Sequence, residues 1–222
     1  MKKTIYVDYR LLNSNSDDYL ENNLNDLLAS GVDEILVKPV FMSEGYEVKK
    51  LRERLEVFKT CFSKIEFDTP VLGSSDSMNF FADLLISEIG FSSEYEYLLV
   101  GHGLSGSSNI EYSKLSDLLH SKGILNVEVA CLTGEGDIAS YLEKVQKKFQ
   151  ESGKKTIQIY PLLIKLGTHI TKDIFSTEED DEKSVLQLLQ ENGFSVIKNI
   201  VPLSSFESFK ARYMNDSKNF SS

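Results

Sequence analysis

Short runs rich in β-branched and aliphatic residues alternate along this chain with longer segments whose apolar residues recur every three or four positions, and this alternation constrains the fold most. Thr4 to Val7 reads as a short strand. The SNSDD run at Ser14 to Asp18 offers several helix caps, and Tyr19, Leu20, Leu24, Leu27 and Leu28 fall on one helical face before Gly31 ends that helix. Glu34 to Phe41 is the next strand. Val48, Leu51, Leu55, Phe58 and Phe62 then predict a long amphipathic helix, followed by a strand over Ile65 to Leu72 and a helix over Met78 to Ile89. Strand and helix in strict alternation is the pattern of a parallel sheet with helices on its faces.

A second series follows. Strands are expected at Tyr95 to Val100, Leu125 to Leu132, Thr156 to Ile164 and Ser195 to Val201, and helices at Tyr112 to His120, Tyr141 to Gln150 and Val185 to Glu191. Phe206, Phe209 and Tyr213 mark a closing helix, and Asn215 to Ser222 is expected to fray. The two series align without a gap at a separation of 122 (141 − 19): Tyr19-Leu20-Glu21 lies over Tyr141-Leu142-Glu143, Pro39 over Pro161, and Gly45 over Gly167. We therefore expect two similar α/β lobes, each a parallel sheet flanked by helices, spanning 1–92 and 93–222. Tyr95 to His120 has no counterpart before Thr4, so the first lobe is expected to lack its opening βα unit.

Composition excludes several classes. A net charge of −10 argues against a duplex nucleic-acid surface, which needs a stripe of lysine and arginine to neutralise phosphates. The opening MKKTIYVDYR has no apolar stretch of signal-peptide length, and no segment approaches the length of a membrane span, so the expected compartment is the cytoplasm. The only two cysteines, Cys61 and Cys131, are expected to be core thiols rather than part of a disulfide framework.

Open parallel sheets place ligand crevices at the carboxyl ends of their strands, and the chemistry-bearing residues of the second half gather there. His169 follows the apolar run Thr156 to Ile164. His102 stands between two glycines after Tyr95 to Val100, where small residues let a ligand approach the backbone. Glu135 follows Leu125 to Leu132 in TGEGD. Two imidazoles and a carboxylate suit a first-row transition metal such as cobalt, iron, nickel or zinc. Plainer readings stand beside this one: His169 as a solvated loop histidine, GHG as a phosphate-cradling turn, GEG as an ordinary tight turn. The third histidine, His120, reads as a helix-end residue.

GHG at 101–103, the EG dipeptide at 135–136 and above all PLLIKLGTHITKDIFSTEEDDEKS at 161–184 resemble the class II tetrapyrrole chelatases, most of all the anaerobic sirohydrochlorin cobaltochelatases, from about Asp17 to about Val201. The resemblance implies a bilobal α/β enzyme of cobalamin biosynthesis, its halves enclosing a cleft, that inserts Co²⁺ into a metal-free modified porphyrin. It also implies that His102, Glu135 and His169 act on the metal and on the pyrrole protons. The implied partners are a divalent metal substrate (Co²⁺, or Fe²⁺ or Ni²⁺) and the tetrapyrrole, with no organic cofactor, no nucleic acid and no membrane. A homo-oligomer is expected, because the shortened first lobe would expose a face that the missing unit covers.

The residue types fit that task. Metal insertion must strip water from a divalent ion, hold the ion by few ligands so that it can leave, and remove two pyrrole protons. Neutral imidazoles bind first-row metals and accept protons near neutral pH, and a carboxylate adds cation affinity and a second acceptor. Three ligands or fewer leave positions open for the ring nitrogens.

The sequence also departs from the family pattern. Phe41 stands where cobaltochelatases tend to carry histidine, Glu182 where they tend to carry tryptophan, and Gly134 is an extra glycine before Glu135. Because sirohydrochlorin is polyanionic, long-range steering by an anionic protein would oppose the encounter. Local cations such as Lys38, Arg52, Lys165 and Lys172 are the residues that would offset it. Two other classes fit the same pattern: a tetrapyrrole- or metal-binding paralogue without turnover, and a two-lobed small-molecule binding module.

Overall fold

β1 (Lys2–Val7) begins the first of two parallel sheets, and its alternating burial puts Ile5 and Val7 into the core. The computed structural model describes residues 1–13, 20–105, 108–134, 138–178 and 182–214, with the backbone alone at 140 and 168–171. The chain divides into two compact units, Met1–Phe81 with Glu207–Ser222, and Ala82–Phe206. The sequence expectation set the division at 92–93 and gave the last helix to the second lobe.

In unit 1, β1 is followed by α1 (Tyr9–Asn13), α2 (Leu20–Ala29), β2 (Glu34–Pro39), α3 (Tyr46–Glu56), β3 (Lys64–Phe67) and α4 (Ser75–Ile89), the last of which runs into unit 2. The sheet order is β1-β2-β3, all parallel. Leu12, Leu20, Leu24, Leu51 and Leu55 from the helices close over Ile5, Val7, Ile35 and Val37 from the strands. Gly31 terminates α2 with φ of +76°, a left-handed conformation that glycine adopts without steric cost. A 3₁₀ turn (Leu203–Ser205) at the end of unit 2 leads to α9 (Glu207–Phe209) and a π-helical turn (Lys210–Met214). There Phe209 packs edge-on against Phe81, and the hydroxyls of Tyr213 and Ser77 meet at 3.1 Å.

Unit 2 contains β4 (Glu96–Gly101), α5 (Ile110–Ser121), β5 (Val127–Cys131), α6 (Ile138–Glu151), β6 (Thr156–Pro161), α7 (Thr168–Phe175), α8 (Val185–Glu191) and β7 (Ser195–Lys198). Its order is β5-β4-β6-β7, again all parallel. β4 is buried along its whole length, as a central strand covered on both faces must be, and its one charged residue, Glu96, is paired with Lys154 at 3.1 Å. Ser184 and Gln187 form a reciprocal capping box at the start of α8.

The expected α/β class and both parallel sheets are present. The repeat is legible in the strands: β2 begins at Glu34 and ends at Pro39, and β6 begins at Thr156 and ends at Pro161, each 122 residues on. Among the described residues unit 1 has one strand fewer. β1 lies beside β2 as β4 lies beside β6, with Val7 opposite Pro39 and Val100 opposite Pro161, so the place without a counterpart in unit 1 is the edge place held by β5.

Several boundaries differ from the sequence expectation. The strand expected over Ile65 to Leu72 stops at Phe67, because Pro70 has no N–H to continue a ladder. The strand expected to run to Ile164 stops at Pro161. The segment after it is not a loop: Thr168–Phe175 is helical. The helix expected to reach Phe62 ends at Glu56, and the turns that follow bury Phe58 and Phe62 while leaving Cys61 exposed; Cys131 is half-buried, so neither cysteine is the core thiol expected. The expected caps at Ser14 to Asp18 lie outside the described residues.

Candidate metal-handling edge

The carboxyl ends of β4, β5 and β6 leave one edge of the unit 2 sheet, in register at Gly101 with Cys131 and at Val100 with Pro161. His102 is the first residue beyond β4 and its side chain is exposed. Its Nδ1 lies 2.9 Å from the carbonyl oxygen of Gly103. A carbonyl only accepts, so Nδ1 carries the proton and Nε2 keeps its lone pair.

The loop that carries His102 is held by packing and by hydrogen bonds. A Cβ at Gly101 would meet Tyr112 at 2.4 Å, and one at Gly103, where φ is +79°, would meet the Thr133 carbonyl at 2.1 Å. Both positions therefore require glycine. Asn109, nearly buried and itself left-handed (φ 50°), accepts from the Leu104 amide at 2.8 Å and donates to the Thr133 carbonyl at 2.7 Å. Asparagine tolerates that conformation better than most residues. The Leu132 amide donates to Gly101 at 3.0 Å and the Thr133 amide to His102 at 2.9 Å, which locks the exit of β5 to the exit of β4.

Glu135 follows Gly134 at the end of that tethered segment and lies outside the described residues. His169 is the second residue of α7, whose N-cap is Gly167, and only its backbone is described. The fold thus brings His102 and the described backbone around His169 to the carboxyl side of the unit 2 sheet. Among the described residues no group of three or more histidine, cysteine, aspartate or glutamate side chains forms a metal site.

Cys131 and His120 have other roles. Burial raises the Cys131 thiol to about 12, so it stays protonated at neutral pH. Together with Asn109, Tyr112, Thr133 and Tyr141 it lines a cavity of about 90 Å³ behind the loops. His120 Nε2 lies 2.7 Å from the Val127 carbonyl, at the amino end of β5, with Glu128 at 3.6 Å. It is a helix-end residue on the opposite edge of the sheet, as expected. Of the four cations considered from sequence, Lys38 pairs with Asp68 at 3.7 Å, and Arg52 pairs with Glu44 at 2.9 Å while covering the Phe67 ring. Phe41 packs against the unit 1 core.

Residues 15–221 match the sequence model of CbiK, described as cobalt chelatase. The chain belongs to that family. No curated protein sequence matches it. Among solved structures, the fold recurs in SirB from Bacillus subtilis with Fe³⁺, at 14% identity and a TM-score of 0.60, over 90% of this chain and 77% of that one. CbiX, described as the terminal enzyme for biosynthesis of siroheme in denitrifying bacteria, is 20% identical over 83% of this chain and 78% of its own, with a TM-score of 0.46. The SirB likeness bears on fold alone, and the CbiX likeness is too loose to carry an argument. Among the described residues no helix is long and apolar enough to cross a membrane.

Proposed function

We propose that this cobalt chelatase family member inserts a divalent metal, Co²⁺ in the first place, into sirohydrochlorin or a related tetrapyrrole, as a cytoplasmic step of cobalamin biosynthesis. His102, Glu135 and His169 are its metal-handling residues. The observation that carries the reading is His102: it stands at the carboxyl edge of the unit 2 sheet in a loop that tolerates only glycine on either side, with Nδ1–H directed at Gly103 and Nε2 left as a free lone pair. That is the tautomer a metal ligand needs.

The chemistry is an exchange of two protons for one cation. Each pyrrole N–H gives its proton to a base, the nitrogen keeps the electron pair, and that pair binds the metal as protein ligands release it. Imidazole serves in both roles, as a neutral ligand while the ion is held and as a proton acceptor once the ion has passed to the ring. A carboxylate at Glu135 would add a negative ligand and a second acceptor. Few protein ligands leave coordination positions open to the incoming ring nitrogens. The metal is a substrate, and no organic cofactor enters this scheme.

The test is anaerobic incubation of the full chain with Co²⁺ and sirohydrochlorin, followed by absorption spectroscopy. Insertion faster than in protein-free solution is expected. A rate equal to the protein-free one would overturn the proposal, and ring binding without acceleration would instead identify a carrier. Fe²⁺ and Ni²⁺ in parallel reactions rank the metal preference, which donor type alone does not set.

A further inference from the structure

Of the four strands at sheet edges, β1 has six residues, whereas β3, β5 and β7 have four, five and four. The edge of β5 is closed by side chains. The Tyr97 amide donates to the Asn126 carbonyl at 2.9 Å and the Leu132 amide to Gly101 at 3.0 Å, so the even-numbered residues of β5 face β4 and the odd-numbered ones face outward. Two outward carbonyls are then taken: His120 Nε2 donates to Val127 and the Tyr141 hydroxyl to Val129, each at 2.7 Å. An added strand would have to displace both.

β1 has no such closure. The Glu34 amide donates to Met1 at 3.3 Å and the Val40 amide to Val7 at 2.9 Å, so odd-numbered residues face β2, and Lys2, Thr4 and Tyr6 turn their amides and carbonyls outward. Among the described residues these outward groups meet no protein partner. In unit 2 the Leu162 amide donates to Val100 as Val40 donates to Val7, so the counterparts of Tyr6 and Thr4 are Leu99 and Tyr97, which are paired with Val129 and Val127 of β5. β1 is thus built like an interior strand, with Thr4, Ile5, Tyr6 and Val7 all of high strand propensity and no proline, yet it has one neighbour.

This edge is complementary to itself. Lys2 and Lys3 stand at its start and Asp8 at its end, and Met1 and Tyr9, 68% and 64% exposed, flank it. Antiparallel pairing with a second copy about a two-fold axis at Ile5 sets Thr4 opposite Tyr6 and Lys2 opposite Asp8, and brings Met1 toward Tyr9, each contact occurring twice. Outward-facing residues meet outward-facing ones in that register, as the hydrogen bonds of a ladder require. Lys2 also reaches Glu66 at 2.5 Å and Asp8 also accepts from the Leu11 amide at 3.0 Å, so both charges come from side chains already held in place. Parallel in-register pairing would instead set Lys2 against Lys2 and Lys3 against Lys3, which like charges oppose.

We infer that the β1 edge is a self-association surface, on which two copies pair β1 with β1, antiparallel, into one sheet of order β3-β2-β1-β1-β2-β3. Each copy has one such edge, so association closes at two. The homo-oligomer expected from the sequence takes this form, and it is independent of the metal-inserting chemistry, whose residues lie in unit 2.

Sedimentation equilibrium of the full chain over a range of concentrations should reveal a species of twice the mass of one chain. Hydrogen exchange of the β1 peptide, read by mass spectrometry, should show the Thr4 and Tyr6 amides exchanging about tenfold or more slowly in the dimer than at dilutions where it dissociates. Thr4→Pro removes an outward amide that β2 does not use, a substitution that edge strands tolerate. It should weaken dimerisation by about thirtyfold or more, because the two-fold axis removes the bond twice, and should keep the far-UV spectrum of the parent. A parent that stays monomeric, a dimer whose Thr4 and Tyr6 amides exchange as fast as in the monomer, or a folded Thr4→Pro variant that dimerises like the parent would overturn the inference. Were the variant not to fold, the exchange rates of the parent decide alone.

Discussion

Thr133 donates both its amide and its hydroxyl to the carbonyl oxygen of His102, each at 2.9 Å. Two loops that leave adjacent strands are thereby joined at the residue proposed to handle the metal. The orientation of His102 is a property of this joint, and Asn109 completes it by bonding Leu104 on one side and Thr133 on the other.

Asn109→Ala should lower stability by about 2–3 kcal/mol, since it removes two hydrogen bonds of about 1 kcal/mol each and leaves a left-handed backbone that alanine adopts at a cost of about 1 kcal/mol. Urea unfolding followed by circular dichroism measures it. A change below about 0.5 kcal/mol would show that the joint contributes little.

Gly103→Ala should reduce metal insertion at least tenfold while the protein stays folded. The new Cβ would stand 2.1 Å from the Thr133 carbonyl, so the backbone itself must move, and His102 moves with it. The same substitution at Gly153, which has φ of +75° but nothing within 4 Å, should affect stability slightly and insertion not at all. Parallel rate measurements on the two variants separate strain at the site from strain in general.

The two thiols should differ sharply. Cys61 is exposed and should react promptly with a disulfide reagent at pH 8, whereas Cys131, raised to about 12 by burial first and by Glu111 second, should react only on unfolding. Its folded value exceeds the ordinary value of about 8.5, so its contribution to stability is complete below that pH and is lost as pH rises toward 12. Thiol counts before and after denaturant check the first point: one fast thiol per native chain, two when unfolded.

Acid should act through Glu66, whose carboxyl is held down to about 2 by Lys2 and then Lys64. A lowered folded value means that the stabilisation is present above the ordinary glutamate value of about 4.3 and fades as pH falls toward 2. Both pairs are on the surface, so the effect should be small and should shrink further in high salt. Glu66→Gln should make the acid limb of the stability profile shallower, and an unchanged limb would count against the pairing.

Much of this architecture was legible in the chain because its punctuation is chemical. Pro39 and Pro161 end their strands for want of a usable N–H, and Gly45 and Gly167 each open a helix, so the repeat was readable from four residues. α7 was not, since HITKDIF is rich in β-branched residues of weak helical propensity and its N-cap glycine makes no side-chain bond. Apolar spacing alone also carried α3 too far: Phe58 and Phe62 continue its periodicity but are buried from turns, and that leaves Cys61 facing solvent. At the site, the sequence placed His102 just past a strand end, where β4 does end at Gly101; Glu135 lies outside the described residues. The Thr133 and Asn109 bonds that fix the His102 loop were not legible, because they join segments whose proximity depends on β4 pairing with β5. Asn109 directly before a helix was the available signal, a capping residue that instead spans two loops.

The central claim is most directly tested by the initial rate of Co²⁺ insertion into sirohydrochlorin by three histidine variants measured beside the parent. His169→Ala and His102→Ala should each bring the rate to that of protein-free solution with folding intact, because both residues follow the carboxyl end of a strand, after β6 and β4. His120→Ala should keep the parental rate and lose only about 1 kcal/mol of stability with its bond to Val127. Equal, small effects at His169, His102 and His120 would contradict both the site and the metal-inserting function built on it.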